Sequence, residues 1–293
     1  MNKKLIYNIA IFSLILIVWS QGITAQYLVP NNSGNLNKII NSNDSLIVSG
    51  EQTICNDISN FIGSIGKTLS SPFHWGSSDL YKAGGFLLLS SGSFLLDDEV
   101  RKVSLRNRNK TFDKLEPVGY AYGAPQNAGA GALLIYLSGV VSKNNWLRNT
   151  GLMLTETIII IGIIQIPARI IIGRARPYTG YGNTSFNFFK GFEQDKASFI
   201  SGHAAVAFGI SNILSHQIDH PAATIGLFGL AALTPLARLY ADKHWFSDIL
   251  IGSALGLFLS NSIINFHEKN AISKNTFSIL PTLNGLSFCY TIN

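Results

Sequence analysis

Three short clusters fall between Ala168 and Asp248. They read Arg169-Ile170-Ile171-Ile172-Gly173-Arg174-Ala175-Arg176-Pro177, then Ser201-Gly202-His203, then Arg238-Leu239-Tyr240-Ala241-Asp242-Lys243-His244-Trp245-Phe246-Ser247-Asp248. Arg169, Arg176 and Arg238 bring guanidinium groups, which stay charged at any working pH and make forked hydrogen bonds to phosphate. His203 and His244 can divide the roles of nucleophile and proton donor near neutrality, and Asp248 can hold one of them in a single tautomer. Phosphoryl transfer through a phosphohistidine needs that inventory.

Working outward, apolar stretches flank each cluster and predict six helices: Asp79–Leu96, Pro125–Val141, Thr150–Ile172, Gly202–Gln217, Ala222–Tyr240 and Ser247–Phe266. The first cluster ends the third helix, the second begins the fourth, and the third bridges the fifth and sixth. Short connections make neighbouring helices antiparallel, so all three clusters collect at one end of a bundle.

Each residue then takes a role. His244 is the expected nucleophile. Asp248, four residues later, would accept a hydrogen bond from one ring nitrogen and leave the other as a lone pair. Taken alone, that spacing is more often a helix-capping contact. His203 would protonate the leaving group and then activate water. The Ser201 hydroxyl and Gly202 N–H stand at a helix N-terminus, which favours anions. Arg169, Arg176 and Arg238 would spread over the phosphate oxygens. Arg174, Asp242 and Lys243 lie within the clusters and are assigned no chemistry. A metal site made from His203, His244 and Asp248 fits poorly, because three guanidiniums would repel a divalent cation. No metal or cofactor is expected.

These residues resemble the type 2 phosphatidic acid phosphatase (PAP2) and vanadium haloperoxidase superfamily. Its signature is Lys-x6-Arg-Pro, Pro-Ser-Gly-His and Ser-Arg-x5-His-x3-Asp, and the spacings within each cluster are kept. Arg169 stands where the family has Lys, Ile200 where it has Pro before Ser201, and Ala237 where it has Ser before Arg238. The resemblance implies an all-α, six-helix bundle and a metal-independent phosphatase acting on a lipid phosphate or diphosphate. A soluble broad-specificity acid phosphatase, a vanadate-dependent haloperoxidase and an inactive lipid-binding protein are the other readings it leaves open.

The whole chain of 293 residues is 47% hydrophobic and only 13% charged, with mean hydropathy +0.25. Several helices approach the length needed to cross a bilayer. The formal charge of +6 suits an anionic substrate or membrane surface. Nucleic acid is not expected, since the basic residues are dispersed and no binding motif accompanies them. Residues 1–25 have the layout of a secretory signal, with an uncleaved anchor as the other reading. An extended lead-in over 26–78 with one short helix near Asp57 to Leu69, a helical phosphatase domain over 79–268 and a tail over 269–293 follow. The tail reads as a β-hairpin around Asn284-Gly285. The basic segment from Arg101 to Lys114 reads as a solvated loop, with contact to acidic lipid headgroups as the sharper reading. Cys55 and Cys289 could form one disulfide or remain free thiols. Membrane association in the cell envelope is expected, and the family resemblance implies an outward-facing site; a soluble periplasmic protein is the alternative.

Overall fold

The computed structural model describes residues 50–272, 275–282 and 285–292. The expected signal segment and Asn284 lie outside the described residues, as do the side chains of Cys55 and Cys289. The chain divides into two compact units, residues 1–55 and 56–293. Of the first unit only residues 50–55 are described; the helical bundle and its site belong to the second.

The element order is α1 (Gly50–Ser70), α2 (Ser77–Ser93), α3 (Asp97–Arg106), α4 (Lys110–Gly123), α5 (Pro125–Ser142), α6 (Asn145–Ile172), α7 (Gly202–Ile218), α8 (Pro221–Tyr240) and α9 (Phe246–Ile272). Two strands follow, β1 (Asn275–Thr282) and β2 (Gly285–Ile292), paired antiparallel from Asn275 opposite Ile292 to Thr282 opposite Gly285. The fold is mostly helical, with more helices than the six-helix reading provides.

Capping chemistry sets several of these boundaries. Asn144 accepts from the N–H of Leu147 (3.1 Å) and starts α6 ahead of the expected Thr150. His220 Nδ1 accepts from the N–H of Ala222 (3.2 Å) and starts α8. Such caps satisfy donors that the first helical turn leaves unpaired.

The largest correction concerns the basic segment, which is not a solvated loop. Asp97, Asp98 and Glu99 occupy the first turn of α3 and Arg106 its last, charges that suit the helix dipole. Asn109 then caps α4 through the N–H groups of Thr111 and Phe112 (3.0 and 3.1 Å). Arg101 makes a two-pronged pair with Asp242 (2.7 Å each), and Arg108 donates to the Tyr240 carbonyl (2.9 Å). Both cations fasten the turn after α8.

The core lies among α6, α7 and α9, where Ile160, Ile161, Val206, Ile213, Leu259 and Ile263 are all but fully buried. Glycine lets α9 approach α7 closely. A Cβ at Gly256 would lie 2.0 Å from the Ala205 carbonyl oxygen, and one at Gly252 would lie 2.4 Å from that of Ser201. Any larger residue there would push the start of α9 away from the start of α7. Helices α6, α8 and α9 are long and apolar enough to cross a membrane. Ile159, Ile163 and Ile166 of α6 and Ile225, Leu230 and Leu236 of α8 are exposed, forming apolar outer surface.

Candidate active site

Helix α6 stops because Gly173 takes a left-handed conformation (φ 56°) and donates its N–H back to the Arg169 carbonyl (3.0 Å). A Cβ at Gly173 would lie 1.8 Å from the Asn187 oxygen, so space as well as φ requires glycine. The chain turns sharply there, leaving Arg169 in the last helical turn and Arg176 just beyond. Arg176 is fixed by its own N–H, bound to the Asp195 carbonyl (2.8 Å).

Ser201 is the N-cap residue of α7, yet its hydroxyl makes no capping bond. That hydroxyl is buried and has no hydrogen-bond partner. Gly202 and His203 open the helix, and Ser201 N–H is tied to the carbonyl of Asp248 (3.2 Å). Arg238 lies in the last turn of α8. The turn after it has Asp242 at positive φ (55°) and Lys243 N–H on the Arg238 carbonyl (3.1 Å), and it delivers His244 to the same place. The structure thus brings together all eight residues singled out in the sequence.

Inside this cluster the hydrogen bonding is incomplete. Arg169 Nε, Arg176 Nε, Arg238 Nε, Ser201 Oγ and His203 Nε2 are buried without a partner, five of the eight such side-chain atoms among the described residues. Leaving a buried polar group unsatisfied costs about 1–3 kcal/mol. Five together mark a place for an acceptor that comes from outside the chain.

The electrostatics agree. The pKa of His203 is pushed down to about 4, first by burial and then by Arg238 and Arg176. Burial also holds His244 well below the usual histidine range, with Arg176, Arg238 and His203 adding to the effect and the Ser198 carbonyl opposing it. The Arg176 guanidinium is lowered by burial, with Arg169 contributing. Cations crowded in this way raise the affinity for an anion and disfavour a metal ion.

His244 differs from expectation in one respect. Its Nδ1 lies 2.7 Å from the Ser198 carbonyl oxygen and 4.0 Å from Asp248 Oδ2. A carbonyl can only accept, so Nδ1 carries the proton and Nε2 keeps its lone pair. The expected direct His244–Asp248 hydrogen bond is therefore replaced by His244–Ser198. The reason is helical: Trp245 precedes α9 and Asp248 is at its third position, so Oδ2 reaches back to the Trp245 N–H (3.0 Å). The same oxygen takes the Ser198 hydroxyl (2.5 Å), and Oδ1 takes Arg174 (2.6 Å).

Reading the sequence missed Ser198 and Arg174 here, and also Tyr120 of α4. The Tyr120 ring lies 5.3 Å from the Arg238 guanidinium carbon and 5.0 Å from the His203 ring. Helix α4 is held on α8 in part by the Thr234 hydroxyl on the Gly119 carbonyl (2.7 Å). The signal for Arg174 was present, an arginine among apolar residues inside the first cluster. Nothing near Tyr120 or Ser198 in the chain marks them.

Residues 150–272 match the family described as the PAP2 superfamily. The chain carries a PAP2-superfamily segment. Its bounds include all eight clustered residues, whereas Tyr120 and Arg101 precede it. A curated relative, the lipid A 1-phosphatase of Porphyromonas gingivalis, is 31% identical over 64 residues. That match covers 21% of this chain, and the chain spans only 14% of the relative's length. Two crystal structures are similar at 20% identity. LpxE of Aquifex aeolicus gives a TM-score of 0.46, with 58% of this chain and 95% of the other covered. The transmembrane PAP2 type phosphatidylglycerolphosphate phosphatase of Bacillus subtilis gives 0.48, with 63% and 92% covered.

Proposed function

We propose that the protein is a metal-independent phosphatase of the cell envelope that removes phosphate from a lipid phosphate or diphosphate through a phosphohistidine. The observation that carries this reading is the convergence of five unpartnered buried polar groups on one cationic site beside His244. The PAP2 segment and the name of the lipid A 1-phosphatase relative supply the substrate class.

The steps follow from the atoms. Phosphate oxygens take up the unpaired N–H groups of Arg169, Arg176 and Arg238, with Ser201 Oγ and the start of α7 completing the cradle. His244 Nε2 attacks phosphorus with its lone pair as the bond to the lipid oxygen breaks. The departing oxygen takes a proton from His203. Burial, Arg238 and Arg176 favour the neutral form of this histidine, and an incoming phosphate dianion offsets the arginines and favours its protonation. Neutral His203 then accepts a proton from water, which attacks the phosphohistidine, frees orthophosphate and returns His244 to its starting state.

The exposed isoleucines and leucines on α6 and α8 support seating in a bilayer; in this reading the site faces outward. The deciding experiment measures phosphate release from a panel of lipid phosphates and diphosphates in detergent, with and without EDTA. Turnover that survives chelation is expected. Loss on chelation with recovery on adding a divalent ion would replace the histidine mechanism with a metal one.

A further inference from the structure

Behind the cationic site lies a second set of charges that the proposed chemistry leaves unused. Arg174 is fully buried, and its guanidinium lies between two buried carboxylates. Nη1 donates to Asp248 Oδ1 (2.6 Å) and to Ser247 Oγ (2.7 Å). Nη2 donates to Asp97 Oδ2 (2.6 Å) and to the Asn183 carbonyl (2.6 Å), which also takes Nε (3.0 Å). Phe94 packs 4.4 Å from the guanidinium carbon, with Phe186 and Trp245 each at 5.6 Å. A planar fork held on every nitrogen and flanked by rings has one available orientation.

Asp97 completes the frame from α3, ahead of the PAP2 segment. Its Oδ1 accepts the Ser247 N–H (2.8 Å) and its Oδ2 the Ser247 hydroxyl (2.8 Å). The residues after His244 are thereby fixed twice, at Trp245 by Asp248 and at Ser247 by Asp97. Ser198, whose carbonyl holds the imidazole, is also fixed twice. Its N–H is on the Arg174 carbonyl (3.1 Å) and its hydroxyl on Asp248.

We propose that Asp97 and Arg174 are positioning residues that hold His244 in one tautomer and one orientation, acting through Asp248 and Ser198. This role rests on the phosphatase reading for its consequence in rate, but the geometric claim stands apart from it. The carboxylate at 4.0 Å from His244 is too distant to orient the ring itself, so the task passes to Ser198. Ser198 can perform it only while Asp248 is immobile, and Asp248 is immobile because Arg174 is clamped by Asp97.

The test uses the full-length protein in detergent, with histidine labelled by ¹⁵N. Asp97→Asn can still accept the Ser247 N–H but turns an amide toward Arg174. Ser198→Ala leaves the Asp97–Arg174–Asp248 set intact and removes only the last link, so it decides the matter if Asp97→Asn does not fold. In wild type, His244 should show a proton on Nδ1 alone. Each variant should show mixed tautomers and a kcat lowered roughly 10- to 100-fold, the range seen when outlying partners of metal-bound histidines are removed. KM and sulfate affinity should hold, because the cradle is untouched. A single tautomer together with wild-type kcat in both variants would overturn the proposal. So would a variant that lost thermal stability while keeping both, or one in which Asp248 swung inward to replace Ser198. If wild type hydrolyses no phosphate ester while Asp97→Asn still mixes tautomers, the positioning role stands and the phosphatase reading falls.

Discussion

Four arginines lie within or beside the first and third clusters, and they divide into two regions of opposite character. Arg169, Arg176 and Arg238 each keep a buried Nε without a partner. Arg174, two residues before Arg176, has all three nitrogens donating to the protein. The front trio is left wanting an acceptor from outside the chain, which a bound phosphate would supply. The rear arginine wants nothing, so its charge serves the frame. Identical side chains inside one motif therefore do different work, and hydrogen-bond satisfaction tells them apart where residue type cannot. His244 stands between the two regions, with Nδ1 held by the frame and Nε2 carrying the lone pair that the proposed attack needs.

The comparison is broken most completely at that histidine. His244→Ala should abolish turnover and leave no acid-labile phosphoenzyme on rapid quench, whatever the substrate. Accumulation of phosphoenzyme in this variant would move the nucleophile to His203. The next effect belongs to His203→Ala, which keeps the nucleophile and loses the proton donor. Phosphoenzyme formation from a lipid phosphate should slow by about 10²–10⁴-fold, the usual worth of acid catalysis. With nitrophenyl phosphate, whose leaving group departs without that proton, the loss should nearly vanish. Equal losses on both substrates would deny His203 the acid role.

The two regions should also answer differently to a lysine. In the proposed mechanism Arg169 binds the phosphate, so Arg169→Lys keeps the charge and should lower kcat only modestly. Arg169→Ala should cost more, up to the roughly 10²–10³-fold that a missing transition-state donor commands. Arg174→Lys offers one nitrogen where five donated bonds exist, so it should lower the denaturation midpoint as well as the rate. An Arg174→Lys variant as stable as wild type would erase the distinction between front and rear.

These two regions were not equally legible in the sequence. The cationic site could be read because its members sit at helix ends with short spacings, and antiparallel packing gathers such ends. The frame could not, since Asp97 meets Ser247 across a long separation in the chain and no local pattern announces that pairing. Asp248 was visible but its partner was not. A carboxylate four residues beyond a histidine is in reach of it along a helix, yet His244 lies ahead of the helix, and the backbone N–H of Trp245 is nearer. The basic stretch was misjudged for a related reason. Arg101 and Arg108 look solvated in sequence, but both donate to the turn after α8, which sequence distance hides. Pro117 and Gly119 inside α4 further blur its helical signal.

The smallest expected effect concerns stability and pH. His203 has its folded-state pKa depressed to about 4, chiefly by burial and secondarily by Arg238 and Arg176. In the unfolded chain the same imidazole titrates near 6.5. Above that value it is neutral in both states and contributes nothing to the pH dependence. As pH falls from about 6.5 toward 4, the unfolded chain binds a proton that the folded protein refuses, so stability declines across that window. His244 is depressed in the same direction and adds to the slope. Sulfate, which does not titrate in this range, should oppose the decline, because an anion among the arginines makes a protonated His203 tolerable. The measurement is the thermal midpoint between pH 7 and pH 4, with and without sulfate, in wild type and His203→Gln. Wild type should slide as pH falls and be rescued by sulfate more at pH 5 than at pH 7, while His203→Gln should slide less and gain less. A sulfate effect independent of pH in wild type would mean that the anion does not sit beside His203, and the front region would lose its proton donor.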